Sequence, residues 1–270
     1  MQFTEANEDE SLQEYSILLL NTALIDQFSI LAHYFVDGRL FISSTTVLCI
    51  SSGPCRLVSD RACAVVTGFM NVNMIHSTSI IAASFWYRTR ILREKGLVGR
   101  WRVRSLTVVL FLPHLAHIAG FVWTLSDRQE LARVVDAMYE PGHAQHFGLH
   151  GFANLSEPLP AILTAYLVLF PIFTNSFSVR ARNQVSKVRK VRPRPLHFAH
   201  SLHRSVEDRG LTIHAVLPIF VMLGMTTLSV AQINYGVHSE DIEGIDFDFA
   251  VLPALINPLI TLYFVRPYRE

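Results

Sequence analysis

The stretch 88–125, RTRILREKGLVGRWRVRSLTVVLFLPHLAHIAGFVWTL, changes character abruptly at Ser105. Before that residue it holds seven Lys/Arg (Arg88, Arg90, Arg93, Lys95, Arg100, Arg102, Arg104) against the single Glu94, and after it no charge at all. A bilayer core about 30 Å thick is crossed by roughly 20 mostly apolar helical residues, so 105–125 is long enough to span. Beyond it the sign reverses: 126–158 carries two Arg against five acids. A basic segment, an apolar span and an acidic segment in succession is the pattern of a membrane helix with its basic end inside the cell.

The same alternation continues along the chain. Further apolar stretches fall at 15–36, 62–87, 159–179, 211–235 and 249–265. Segment 180–209 has nine Lys/Arg against two acids, and 236–248 has five acids and no Lys or Arg. Short Lys/Arg-rich loops stay cytoplasmic, which puts the basic loops and the C-terminus inside and the acidic loops outside. The glycosylation triplet Asn154-Leu155-Ser156 falls in an acidic, outer loop. Residues 40–52, rich in Ser, Thr and Val, are too short to span and read as an irregular or strand-like loop segment. The fold class expected is therefore all-α, a polytopic membrane bundle with six visible spans in 15–270 behind an acidic segment, 1–14.

Composition agrees with a membrane setting. Half of the 270 residues are apolar and 17% are charged, where soluble domains average about 25% charged. Net charge is +1, which gives no support to a nucleic-acid partner. The first sixteen residues contain five acids and no Lys or Arg, so they lack the basic start of a signal peptide. Counting spans back from the basic loops puts the N-terminus inside, in a segment without an anchor. An earlier span missing from this chain is the preferred explanation over an acidic tail tolerated inside.

Polar residues inside the spans carry the functional reading. Asp26 is the one carboxylate deep in a span, and burying it costs roughly 2.5–3.5 kcal/mol, so it must face other helices. Asn21 and Gln27 extend its polar patch, and Asn257 of the last span is the expected partner. The patch serves either as a hydrogen-bonded helix contact or as an ion- or proton-responsive switch. Segment 62–87 is the least apolar span, with Thr67, Asn71, Asn73, His76 and a Ser/Thr run from Ser77 to Ser79, and reads as the central helix. Its outer half, including Phe69, Met70 and Asn73, forms a pocket wall. Prolines recur in the later spans at Pro113, Pro171, Pro218, Pro253 and Pro258, each removing a backbone hydrogen bond.

Twelve histidines raise the question of a metalloenzyme. His114 and His117 lie at mid-span, His143, His146 and His150 outside, and His197, His200 and His203 inside, so these groups do not converge on one site. With no nucleophile, Walker or dinucleotide-binding pattern either, no catalytic residue, cofactor or metal is expected. Cys49, Cys55 and Cys63 allow one disulfide at most.

Tyr15-Ser-Ile-Leu-Leu-Leu-Asn21-Thr-Ala-Leu-Ile-Asp26, Gly53-Pro54-Cys55-Arg56 with Cys63, Ser84-Phe85-Trp86-Tyr87-Arg88, and the terminal run from Asn257-Pro258 through Tyr263 to Arg269 together resemble the nematode serpentine chemoreceptors, class d or a close relative. The resemblance runs from Tyr15 to the C-terminus. It implies a seven-helix, G-protein-coupled chemosensory receptor, of which the six spans match helices two through seven. Asp26 then matches the polar position of the second helix, Arg88 the inner end of the third, and Asn257-Pro258 the seventh-helix Asn-Pro. Tyr87 stands where rhodopsin-like receptors place an acid before that arginine, and Tyr263 follows Pro258 by five residues rather than three. The outer loop before the fourth visible span has no cysteine, so the usual bridge from the third helix is replaced by Cys55 with Cys63 as the local alternative. The resemblance implies a small-molecule ligand at Phe69, Met70 and Asn73. It also implies a heterotrimeric G protein at an inner surface made by Arg88, Arg90, Arg180, Arg182 and Lys187, where anionic lipid could also bind. A transporter or channel lined by Asp26 is the alternative, disfavoured because Ile80, Ile81, Ala82 and Ala83 close the inner half of the polar helix. A truncated, non-signalling receptor fragment is another.

Overall fold

In a computed structural model the protein is described over residues 2–94, 100–191 and 198–264. Six long helices form the bundle: α1 (Gln2–Val36), α2 (Asp60–Glu94), α3 (Arg100–Trp123), α5 (Pro158–Val191), α6 (Phe198–Tyr235) and α7 (Glu240–Phe264). Helix α4 (Arg128–Met138) is extra, and its 11 residues reach only about 16 Å, too short to span. Helices α2, α5 and α6 run to 35, 34 and 38 residues, about 50 Å or more each. They outrun a bilayer core, and all three project at the basic end.

Lipid explains why these segments are helical. In hydrocarbon every backbone N–H and C=O must be paired within the segment, which a helix achieves alone. By length and apolarity, Trp101–Trp123, Pro158–Val185 and Val216–Tyr235 qualify as spans among the described residues. The first and third of these windows are only 17% buried within the bundle. Water would not tolerate so much outward apolar surface; lipid does. Helix α2 is the opposite case, with every residue from Ile75 to Ala83 buried, and so occupies the centre.

The acidic end carries structure of its own. Helix α1 stops at Asp37, whose φ of 42° is a left-handed conformation that Asp tolerates better than most residues. The chain then turns into β1 (Gly38–Ile42) and β2 (Val47–Ser51), and β3 (Gly148–Phe152) completes a sheet of order β1-β2-β3. Both pairings are antiparallel, with Gly38 opposite Ser51 and Val47 opposite Phe152. The strand-like expectation for 40–52 is met by β1 and β2, and the bundle gains a small sheet.

One face of the sheet buries Leu48, Ile50 and Leu149 with Phe41 against Leu131 and Val135 of α4. Gly151 has φ 146° and passes so close to β2 that a Cβ there would lie 2.3 Å from the Val47 carbonyl oxygen, so only glycine fits. This sheet, α4 and the linking turns form a cap. It meets α1 through Gly53, packed on the Phe35 and Val36 backbone, and α7 through Gly38 against Phe247. Cap residue Phe152 packs with Phe121 of α3 and Leu163 of α5, Thr67 of α2 bonds to His150, and Gln232 of α6 accepts from the Ile42 N–H. The cap therefore touches all six long helices.

Candidate ligand and switch site

Beneath the cap, polar residues of α1, α2 and α7 meet in the bundle interior. Asp26 is 2% exposed, and its Oδ1 accepts from Ser77 Oγ at 3.4 Å. Asn257 lies beside the same carboxylate, with both amide atoms outside hydrogen-bonding geometry and Asp26 Oδ2 also unpaired. The expected partner Asn257 thus lies against Asp26, and Ser77 of α2 adds a weak bond. Ser77 reaches the carboxylate because α1 packs along α2, and Asn257 because α1 packs along α7. Asn21 is half-buried with an unpaired Nδ2, while Gln27 is exposed and leaves the patch.

A cavity of about 10 Å³ adjoins this group, lined by Ser77 and Thr78 of α2, Pro171 of α5, Pro218 of α6, and Pro253 and Asn257 of α7. That is room on the order of one water molecule. Three helices put a proline against it, at positions where each helix loses a backbone bond and can bend. Thr78 Oγ1 lies 3.2 Å from Thr174 Oγ1 of α5, bracing the same spot. Pro258 sits one residue after Asn257 on α7, half-buried.

The pocket wall expected at Phe69, Met70 and Asn73 lies one to two turns nearer the cap. Met70 is packed with Ala32, Val36, Cys49 and Phe247, and Phe69 is half-buried. Asn73 is 1% exposed with neither amide atom paired. Residue types did not reveal one further group. His76 of α2 meets His114 of α3, ring centroids 5.4 Å apart, and His114 Nδ1 lies 2.7 Å from the Tyr166 hydroxyl of α5. His117 stacks on Tyr166 at 5.1 Å. The pair at i, i+3 was visible in the sequence, but its meeting with His76 depends on helix packing that no local pattern encodes. The histidine groups otherwise remain apart: His150 bonds to Thr67 at 2.8 Å and His143 lies 3.7 Å from Glu240.

At the cap, Asp60 Oδ1 and Oδ2 both accept from Arg128 at 2.6 Å, and the Leu149 N–H donates to Oδ1 at 3.1 Å. Arg39 pairs with Glu240 at 2.8 Å, and the Tyr139 hydroxyl lies 2.6 Å from both oxygens of Glu243. Burial, and then the adjacent Glu243 carboxylate, push the Tyr139 hydroxyl above its ordinary pKa. Burial lowers His150 to about 4, with Asp60 opposing, and raises the Cys49 thiol to about 12, leaving it inert. Cys55 and Cys63 are joined by a disulfide between the turn and α2. Asn154 is exposed in the loop after β3, its Oδ1 accepting from the Ser156 N–H.

At the basic end, Arg90 lies over the Trp86 ring at 5.5 Å. Arg182 of α5 donates to Thr212 of α6 at 2.9 Å, and Arg180 and Lys187 are exposed on α5. The side chain of Arg88 lies outside the described residues, as do segments 95–99, 192–197 and 265–270.

A bundle of long helices with lipid-compatible outer faces, a polar interior and a closed acidic end defines a multi-pass integral membrane protein of serpentine type. The family model described as "Serpentine type 7TM GPCR chemoreceptor Srd" matches residues 6–270, and the chain belongs to that family. It is 28% identical to serpentine receptor class delta-18 of Caenorhabditis elegans, over 97% of this chain and 78% of that one. Serpentine receptor class delta-3 of the same organism is 27% identical over 96% of this chain and 77% of its own length. Family membership makes the chain a chemosensory receptor and not an enzyme.

Proposed function

We propose that this receptor detects a small molecule, an odorant or secreted metabolite, and signals to a heterotrimeric G protein through a helix rearrangement. The carrying observation is the Asp26–Ser77–Asn257 group beside a cavity walled by prolines of three helices. Polar atoms left unpaired in hydrocarbon are costly, which favours any arrangement in which they pair. The prolines provide bends where α5, α6 and α7 can shift between arrangements. A ligand drives the change only by binding one arrangement better, and inverting a 1:99 population takes about 10⁴-fold discrimination. In this reading Phe69, Met70 and Asn73 face the ligand, and Asn21, Asp26, Asn257 and Pro258 form the switch.

The acidic end faces outward in a plasma or sensory ciliary membrane, with the Cys55–Cys63 bridge and a glycan on Asn154. The C-terminus is cytoplasmic. Arg88, Arg90, Arg180, Arg182 and Lys187 present the inner face to the G protein, where the long α5 and α6 project.

The test is basal coupling of the full chain to each Gα class in cells, read by luminescence complementation with surface delivery measured in parallel. Coupling to one class that falls severalfold in Arg90→Ala and Lys187→Ala supports the reading. A surface-delivered chain that couples to none overturns it, and a ligand-independent current in the same cells would put the channel alternative in its place.

A further inference from the structure

We infer that the histidine cluster between α2, α3 and α5 is a recognition site for the uncharged, oxygen-bearing head of a small amphiphile that arrives from the bilayer. This rests on the ligand-detecting function proposed above and names the chemical class of the ligand.

Polar demand is concentrated there. His114 is 0% exposed, Asn73 1%, His76 2% and His117 4%. Yet His114 Nε2, His76 Nδ1, His117 Nδ1 and both amide atoms of Asn73 have no partner. Asn73 and His76 are three residues apart on α2, as are His114 and His117 on α3, so each pair shares a helix face. Leaving such atoms unpaired in a hydrocarbon-flanked interior is costly, and a bound group that both donates and accepts relieves it.

Charge and access define that group. A neutral imidazole offers one donor and one acceptor, and an amide offers both. The cluster's ring contacts join His76, His114 and His117 with Phe111, Tyr166 and Phe170, and among the described residues none of the three histidines forms an ion pair, so a formal charge on the ligand finds no counter-charge in those pairs. A hydroxyl or an undissociated carboxylic acid supplies both a donor and an acceptor without a charge. The axial route from the acidic end is closed by the cap, which touches all six long helices. On the lipid side, Phe111, Tyr166 and Phe170 are half-buried, forming an aromatic rim between α3 and α5. A ligand that partitions into lipid and presents its head between these helices reaches the histidines without unfolding the cap.

The probe is an alkyne-tagged, diazirine-bearing long-chain alcohol in phosphatidylcholine vesicles holding the purified full chain, with the matching diazirine alkane as control. After irradiation, labelled peptides are located by mass spectrometry. The alcohol labels the α3 and α5 segments facing the cluster about fivefold more than the alkane, the gain of roughly one net hydrogen bond. Excess untagged alcohol competes for the label and excess alkane does not. His117→Leu brings the ratio to about one, and His117→Gln, which keeps donor and acceptor, retains it. Equal labelling by alcohol and alkane, labelling spread over all lipid faces, or none at the cluster overturns the inference. No G protein enters this readout, so its failure leaves basal coupling untouched, and failure of coupling leaves the labelling untouched.

Discussion

The cap and the bundle interior hold their carboxylates in different ways. In the cap, Asp60 is saturated by Arg128 and the Leu149 N–H, Arg39 is paired with Glu240, and a disulfide closes the turn before α2. In the interior, Asp26 has a 3.4 Å bond from Ser77 with Asn257 beside it, one of its oxygens is unpaired, and Asn73 has no partner. On the function proposed above, the cross-linked region is the one that holds still, and the region that chooses between arrangements is the one that leaves Asp26, Asn73 and Asn257 loosely held. Perturbing the cap should therefore cost stability, and perturbing the interior should change the balance of states.

The largest effect should come from Gly151→Ala. Its positive φ and the overlap an added Cβ would make with the Val47 carbonyl oxygen combine backbone strain with a clash against backbone, which side-chain motion cannot relieve. About 4 kcal/mol or more is expected, in the range reserved for core disruption. The check is loss of surface delivery and of a cooperative melt. A normally folded Gly151→Ala protein would remove the premise that the cap is rigid.

Acid should loosen the cap next. His150 is 1% exposed and its pKa is lowered to about 4 by burial, against about 6.5 in an unfolded chain. The folded state thus binds fewer protons. Its full stability is present above about pH 6.5 and declines as pH falls toward 4, by up to about 3 kcal/mol. Melting temperatures of detergent-solubilised protein between pH 7.5 and 4.5 should show this slope, and His150→Phe should flatten it. An unchanged slope in the variant would assign the effect to other groups.

Removing the Cys55–Cys63 bridge comes third. With a sequence separation of 8, loop-closure entropy gives about 2–3 kcal/mol. The double Cys→Ala variant should melt lower while retaining labelling of the histidine cluster, since the bridge lies in the cap. If labelling disappears with the bridge, the two regions are not independent.

The bundle was legible in the sequence, because charge alternation and apolar length are local properties that lipid enforces at every residue. The 40–52 segment was legible as strand-like for a similar reason, its β-branched residues. What escaped were relations between distant segments. Strand β3 contains two glycines, Gly148 and Gly151, and only its pairing with β2 makes it a strand. Helix α4 carries four charged residues in 11 and has only the narrow buried stripe of Leu131 and Val135. The candidate site divided the same way. Asp26 declared itself by its cost, but its pairing with Ser77 and the meeting of His76 with His114 were set by how α2 packs against α1 and α3.

The smallest effect on stability, and the sharpest test of the comparison, is Asp26→Asn. The carboxylate is buried with one weak bond and one unpaired oxygen, so exchanging it for a neutral amide of the same shape removes little that is favourable. Within about 1 kcal/mol of the unmodified melting behaviour is expected. The balance of states is another matter, since the amide adds a donor that can reach Ser77 or Asn257 and favours whichever arrangement lets it do so. A bias of about 1.4 kcal/mol is a tenfold change in that balance, large enough to see as altered basal coupling at equal surface delivery. Should Asp26→Asn instead destabilise as strongly as loss of the bridge, with coupling per molecule unchanged, Asp26 would be a structural tie like Asp60. The contrast between a fixed cap and an uncommitted interior would then fail at its central residue.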